Sequence, residues 1–385
     1  MMVRPEWQNL NGLWDYAIRP KAATQPTDYD GEILVPFPVE SALSGVMKPV
    51  GPDNRLWYRR TFVVPANWGQ ERVLLHFGAV DWDATVWVNG TQVGTHRGSY
   101  DPFTFDVTDT LRKNGEQEIV LSVWDPTNAG DQPRGKQVLK PGGIMYTAVT
   151  GIWQTVWLEP VPTTSIRAIK ITPDLDRNCV WVEADVPGAK TGTTVVAHAS
   201  FKLEGEPDGQ PQVMRAHGAP GKRFKVNAPG YPRVKLWSPE SPFLHDIAVR
   251  LYADGEELDH IDSYFGMRNI SVEKDDSGIN RLFLNGKPLF QYGPLDQGWW
   301  PDGLYTAPTD EALKYDIEAT KRFGMNMARK HVKVEPARWY YWCDKLGLLV
   351  WQDMASGNNR TDEAKQQFEL EWTGSSMRSA ITRRL

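Results

Sequence analysis

The feature that most constrains this chain is a change of grammar at about Ile270. Before it, short segments of alternating polarity follow one another, broken by turn residues; after it, strand and helix patterns alternate. A chain that switches period in this way must place a β-only part and an α/β part in separate layers, because one core cannot serve both. In the first stretch Asn11–Ile18, Arg55–Val64, Arg72–Phe77, Ala84–Val88, Glu118–Val123 and Ile152–Leu158 read as strands rich in Val, Leu, Trp and Tyr. Asn89-Gly90 stands between two of these runs, the residue pair a two-residue hairpin turn requires because both central positions need positive φ. No helix of ten residues is needed before Pro160, so residues 1–160 are expected to form a two-sheet β-sandwich of the jelly-roll type.

A second β-rich block covers residues 161–270, with strands near Ile166–Thr172, Val180–Val186, Thr193–Phe201 and Ile247–Ala253. Its length and turn spacing fit an immunoglobulin-like sandwich without the inter-sheet cysteine pair. In residues 271–385, Leu289–Tyr292 is a short apolar strand and Thr309-Asp310-Glu311 opens a helix that closes at Gly324. Asn326–Val332 is a second strand, Pro336 starts a helix ending at Gly347, and Leu348–Gln352 is a third strand. That order predicts a parallel sheet, about three βα units of a (β/α)8 barrel that needs about 250 residues to close. The predicted fold class is thus multidomain β plus α/β.

Composition narrows the function. A net charge of −5 without any run of like charge argues against a nucleic-acid or membrane-surface footprint. Arg4, Pro5 and Glu6 interrupt what would be the apolar region of a signal peptide, and no run of eighteen apolar residues follows, so a cytoplasmic protein is the default expectation. Cys179 and Cys343 fall in different blocks and read as buried thiols. The seven histidines show no zinc-like spacing, and neither a metal nor an organic cofactor is expected. The 17 tryptophans are many for this length; Trp stacks on sugar rings but more often fills sandwich cores.

In a barrel the functional side chains lie at the C-terminal ends of strands. Those positions hold Asp296 and Asp302 after the first strand, Arg329 and His331 at the second, and Asp353 at the third, expected to converge on one face. Carboxylates beside an Arg and a His bind sugar hydroxyls, and a pair of carboxylates a few ångströms apart is the machinery of glycoside hydrolysis. Asp125 and Asp131, in the loop from Asp125 to Lys136, are expected to reach over the barrel mouth as sugar ligands, while Glu335, Glu369 and Glu371 are weaker catalytic candidates, since helix starts and exposed helical faces account for them.

The order of several motifs resembles family-2 glycoside hydrolases. Gly286-Lys287-Pro288-Leu289, Leu295-Asp296-Gln297-Gly298 with Trp300-Pro301-Asp302-Gly303, Arg329-Lys330-His331 and Trp351-Gln352-Asp353-Met354 resemble that family's first three barrel strands. Val86-Trp87-Val88-Asn89-Gly90 and Gly151-Ile152-Trp153-Gln154-Thr155-Val156-Trp157-Leu158 resemble its sugar-binding sandwich. The likeness runs from about Leu10 to Trp372 and implies a retaining β-glycosidase, with Trp300 joining Arg329, His331, Asp125 and Asp131 as a substrate-binding candidate. The family's acid/base is a Glu in an Asn-Glu pair after the fourth strand and its nucleophile a Glu after the seventh; no Asn-Glu dipeptide occurs here, and the sequence ends in or just after the third helix.

Two readings follow. In one the chain hydrolyses β-glycosides, β-galactosides first, with Asp296, Asp302 and Asp353 as substitute catalytic carboxylates; in the other it is a carbohydrate-binding protein without hydrolytic activity, or an inactive fragment of a larger glycosidase. The open edge of an unclosed barrel, with Leu289, Phe290, Met327, Val332, Leu349, Val350 and Trp351 at or just beneath the surface, predicts a homo-oligomer. A tail helix with Phe368 and Trp372 on one side and Met377, Ile381 and Leu385 on the other, or one broken at Gly374 so that its end swings onto a neighbouring subunit, would contribute to it.

Overall fold

The computed structural model describes residues 2–379 apart from Gln70, 206–209 and 231–233, with side chains placed as far as Gly374. The first 160 residues build two facing antiparallel sheets. One has six strands in the order Gly31–Val35, Gly12–Pro20, Asn54–Phe62, Gln117–Trp124, Asp83–Val88, Thr91–Arg97; the other has Gln8–Asn9, Val156–Val161, Arg72–Phe77, Phe103–Asp106. Alternate residues of each strand, such as Val73, Leu75 and Phe77 or Ala84, Val86 and Val88, point into one apolar core between them. The Asn89-Gly90 turn joins its two strands with φ of +50° and +80°, and the Asn89 amide donates to the Thr110 carbonyl and to Gln117.

The second block packs a three-stranded sheet (Ala168–Asp174, Cys179–Asp185, Phe224–Asn227) on a four-stranded one (Gln212–Gly218, Thr194–Phe201, His245–Ala253, Glu256–Phe265) over its own core. Both cysteines are free and buried. Arg4 clamps the two sandwiches, with its guanidinium on Glu159 at 3.0 Å, Asp259 at 2.8 Å and the Ile166 carbonyl at 2.7 Å.

A hairpin sheet, Ile270–Lys274, Asn280–Leu284 and Lys287–Pro288, leads into the α/β part. There Leu295–Asp296, Met327–Lys330 and Leu349–Gln352 pair in parallel, connected through α1 (Asp310–Arg322) and α2 (Ala337–Leu346) and followed by α3 (Asp362–Ser379). Thr309 caps α1 by accepting from the Ala312 amide, and Gly347 closes α2 in the left-handed region. The first parallel strand is not Leu289–Tyr292: those residues form no strand, and the pairing begins at Leu295. Being apolar did not suffice, because Phe290 lies in solvent, its carbonyl held by the Asn326 side chain.

Of the apolar residues expected at the open edge, only Phe290 and Trp351 are exposed. Met327 and Leu349 pack with Trp237 and Leu284 from the preceding parts, and Val350 packs under α1 and α2. Trp237 is the centre of that junction, fully buried, its indole N–H donating to the Asp344 carbonyl at 2.7 Å with Arg268 stacked over its ring. Replacing it with alanine removes this packing and the indole hydrogen bond to the Asp344 carbonyl. Trp237→Ala is expected to cost about 3–5 kcal/mol, read as a lower unfolding midpoint; an unchanged midpoint would refute the junction's role.

The helix α3 runs through Gly374 without a break, and Ile381 and Leu385 lie outside the described residues. It is anchored on the first sandwich. Gln367 donates to the Arg97 carbonyl at 2.9 Å, and Glu371, far from being exposed, is buried where it accepts from the Ser99 amide. Burial, reinforced by Asp101, pushes the Glu371 carboxyl up to about 8 against the pull of Gln367. A carboxyl raised in the folded state favours folding fully below its ordinary value of 4.5, and that advantage is lost as pH climbs to about 8. Glu371→Gln is therefore expected to melt above the parent protein at pH 8, by roughly 2–4 °C per kcal/mol recovered, with the difference vanishing near pH 4.5. Parallel melting curves across that window would contradict the assignment.

Candidate functional site

The parallel sheet has two faces, and its register sorts the chemistry between them. Leu295, Arg329 and Trp351 lie abreast on one face; Asp296, Lys330 and Gln352 lie abreast on the other. The second row turns toward α1 and α2. The first row is uncovered, with Leu295 52% and Trp351 41% exposed. The expected convergence on one face therefore fails, because Asp296 falls one residue out of phase with Arg329, His331 and Asp353.

On the uncovered face, Arg329 holds Asp353 through both carboxylate oxygens, Nε to Oδ1 at 3.1 Å and Nη2 to Oδ2 at 3.0 Å. His331 Nδ1 sits 2.7 Å from the same Oδ2. Burial pushes the Asp353 carboxyl up, but the hydrogen bonds from Arg329 and His331 outweigh it and hold the carboxyl below the usual range. Guanidinium donors beside an imidazole ring and an ionised carboxylate make a surface suited to hydroxyl groups.

On the covered face, Lys330 Nζ donates to Asp296 Oδ2 at 2.6 Å and to Glu335 Oε1 at 2.8 Å, lying 4.2 Å from the Trp339 ring centroid. Lys333 Nζ reaches the same Glu335 oxygen at 2.9 Å and donates to the Gly298 and Tyr305 carbonyls. Two ammonium groups and the Glu335 carboxylate thus share an almost dry site, both lysine side chains 1% exposed and Glu335 2%, with Asp296 at its rim, 27% exposed. Burial alone would lower both lysines. For Lys330 the attraction of Glu335 and Asp296 wins and the ammonium is raised; for Lys333 burial wins and its group falls to about 8. Burial lifts Asp296, yet Lys330 pulls its carboxyl below the ordinary value.

The remaining expected ligands separate. Asp302 lies in the turn between Trp300 and Leu304, where its carbonyl accepts from the Leu43 amide of the first sandwich. No hydrogen bond joins any two of Asp296, Asp302 and Asp353 among the described residues. Asp125 does not reach over the sheet: it is 1% exposed and caps its own turn, accepting from the Thr127 amide and hydroxyl and from the Thr150 hydroxyl. Burial raises its carboxyl. The loop itself does cross to the third parallel strand's outlet, with the Arg134 and Gly135 amides both on the Ser356 carbonyl and Asp131 accepting from the Asn359 amide through its backbone. Trp300 lines a cavity on the covered face. No group of three or more His, Cys, Asp or Glu among the described residues is placed to hold a metal.

Sequence reasoning missed Lys330 and Lys333 and ranked Glu335 as a weaker candidate at a helix start. The available signal was the spacing in Arg329-Lys330-His331-Val332-Lys333-Val334-Glu335, which on a strand sends Lys330 opposite to Arg329 and His331. Lys330→Met would leave Asp296 and Glu335 short of a counter-charge in a dry site, and breaking such a pair costs about 3–5 kcal/mol. Lys330→Met with Glu335→Gln is expected to recover part of that loss in urea denaturation; equal midpoints for parent and single variant would rule the network out as a stabilising set.

Comparison with known proteins follows the same division. Residues 7–162 match the description "Glycosyl hydrolases family 2, sugar binding domain" and residues 164–268 match "Glycosyl hydrolases family 2". A β-galactosidase of Thermoanaerobacter pseudethanolicus is 25% identical over 321 residues, 80% of this chain and 40% of that protein. A β-glucuronidase of Rattus norvegicus is 28% identical over 332 residues, 75% of this chain and 47% of that protein. The chain spans less than half the length of these curated relatives. Among solved structures, the β-glucuronidase from Ruminococcus gnavus in complex with D-glucuronic acid superposes with a TM-score of 0.78 at 18% identity, covering 97% of this chain and 64% of that one.

Proposed function

Because the chain belongs to family 2 of the glycosyl hydrolases, we propose that it serves the recognition and hydrolysis of β-glycosides, galactosides or glucuronides, and that its own residues supply the sugar-contacting wall. The observation that carries this reading is the Arg329–His331–Asp353 cluster at the strand ends of the uncovered face. On this reading the three parallel strands are the first staves of a (β/α)8 barrel, residues 1–160 and 161–270 are separate sandwich domains, and the uncovered face lines the barrel mouth. The loop carrying Asp131 and Arg134 rests on the segment after the third strand and adds a wall from the first sandwich.

Asp353 acts as an ionised acceptor of sugar hydroxyls. Its lowered carboxyl is the opposite of what a general acid needs. Asp296 is committed to Lys330, and Asp302 stands in a different turn, so no retaining pair of carboxylates is formed by these three. Binding, rather than proton transfer, is the work assigned to the residues of this chain. In calorimetric titrations, Arg329→Ala and Asp353→Asn are each expected to weaken binding of an aryl β-galactoside or β-glucuronide at least tenfold with the fold intact by circular dichroism. Full retention of affinity in both variants would refute the reading, and turnover abolished by Asp353→Asn would replace it with direct catalysis.

The outer edges of Leu295–Asp296 and Leu349–Gln352, which pair with no further strand among the described residues, support edge-to-edge assembly with a second copy of the chain that leaves the Arg329–His331–Asp353 face open. Light scattering after size exclusion is expected to give a multiple of 43.6 kDa, and a monomer at micromolar concentration would overturn the assembly.

A further inference from the structure

The Asn89-Gly90 turn is one of four places where glycine follows asparagine; the others are Asn11-Gly12, Asn114-Gly115 and Asn285-Gly286. In this dipeptide the following amide nitrogen reaches the asparagine side-chain carbonyl with least obstruction, because glycine has no Cβ. Whether it does so depends on what holds the carboxamide. Asn11 donates to the Thr155 hydroxyl at 3.3 Å and accepts from the Val156 amide at 3.0 Å. Asn89 donates to the Thr110 carbonyl and to the Gln117 side chain, and accepts from the Glu118 amide at 2.9 Å. Asn285 donates to the Trp237 carbonyl at 3.0 Å and accepts from the Asn269 amide at 2.9 Å. Both ends of the carboxamide are engaged in these three, so turning it toward the next nitrogen would break hydrogen bonds on both sides.

Asn114 is held by nothing of the kind. It is exposed in the loop between the short turn Thr108–Thr110 and the strand Gln117–Trp124, and among the described residues neither its carboxamide nor the Gly115 amide has a hydrogen-bond partner. No atom lies within 4 Å of where a Cβ on Gly115 would stand. Open space alone does not single it out, since Gly90 and Gly286 stand equally free; the unheld carboxamide does. We propose that Asn114 is a modification site at which the folded chain converts its own carboxamide to a carboxylate without an enzyme. The Gly115 nitrogen, after giving its proton to solvent, attacks Asn114 Cγ; an N–C bond forms, the bond to the side-chain nitrogen breaks, and that nitrogen takes up a proton and leaves as ammonia. Water then adds to either carbonyl of the cyclic imide and opens it to aspartate or isoaspartate. Nothing is oxidised or reduced, and water is the only co-reactant. The product is one unit more negative than the net charge of −5. Its isoaspartyl form also adds a methylene to the main chain inside a loop that Gln117 clasps through the Arg112 and Gly115 carbonyls.

The test ages the full chain in mildly alkaline buffer, folded and in parallel unfolded in urea, and follows all four asparagines by peptide mass spectrometry. In the folded chain Asn114 is expected to deamidate roughly tenfold or more faster than Asn11, Asn89 or Asn285, which can react only when their segments open locally. In urea the four are expected to react at similar rates, since the hydrogen bonds that set them apart are gone. Asn114→Gln is expected to remove the acidic band that isoelectric focusing shows in the aged folded protein, and Asn114→Asp to carry that band from the start. Both variants should keep the parent's circular dichroism, because the side chain has no hydrogen bond to lose. An Asn114 that stays an amide in the folded chain while the urea sample converts would overturn the proposal, as would any of the other three converting as fast as Asn114. A preference for Asn114 that persists undiminished in urea would overturn it too, because the flanking sequence and not the fold would then explain the selectivity.

Discussion

The α/β part of this molecule depends on one carboxylate caught between two ammonium groups. Glu335 brings an oxygen to both Lys330 and Lys333 in a place with almost no water, and each of the four charges involved would be expensive to bury alone. As a neutral set they are tolerable, and their geometry then dictates the backbone around them. Gly298 must pass so close that a Cβ there would stand 2.3 Å from the Glu335 carboxylate and 2.8 Å from Lys333, with φ at +64°, so only glycine serves at that turn. The loop after the first parallel strand and the segment after the second are thereby held to each other before any aromatic packing is counted.

That packing extends the network outward to the first sandwich. Lys333 lies over the Tyr305 ring at 4.7 Å, Tyr305 meets Tyr100 hydroxyl to hydroxyl at 3.1 Å, and the Trp153 indole donates to the Ser99 carbonyl. Glu371 of α3 reaches the same stretch of the sandwich through the Ser99 amide. The sandwich and the parallel sheet are joined by an apolar, hydrogen-bonded seam in which Tyr100, Trp153 and Tyr305 are almost fully buried. Such a seam leaves little room for relative motion, and it fixes where the loop carrying Asp131 and Arg134 meets the end of the third strand.

Local signals in the sequence were sufficient wherever a single residue type satisfies a single backbone demand. Asn89-Gly90, Thr309 and Gly347 marked their turn and caps because positive φ and an unpaired amide admit few side chains. Alternation identified the sandwich strands because both sheets bury one face. The candidate site was legible only in part. Arg329, His331 and Asp353 do meet, but Asp125, Asp296 and Asp302 were assigned by position along the chain, and position does not say which face a side chain takes or what already claims it. Polarity misled in both directions: Lys330, Lys333, Glu335 and Glu371 look like surface residues and are buried, while Phe290 looks like core and is not. Lys330 and Glu371 owe their places in part to partners distant in the chain, Asp296 and Ser99, which no local pattern encodes, whereas Lys333 and Glu335 pair two residues apart.

The adjacency of Arg329 and Lys330 also carries a consequence for how this stretch can change over time. One peptide unit separates a side chain given to the uncovered face from one locked into the neutral set behind the sheet. Insertion or deletion of a single residue between Met327 and Arg329 would exchange the two rows, sending a guanidinium behind the sheet and an ammonium into solvent, and would unmake both the Arg329 cluster and the neutral set in one step. The strand can drift by substitution, where each row tolerates or refuses a change on its own terms, but its length is frozen. Variation in loop length among proteins built this way should therefore collect on either side of Met327–Lys330 and leave its four residues uninterrupted.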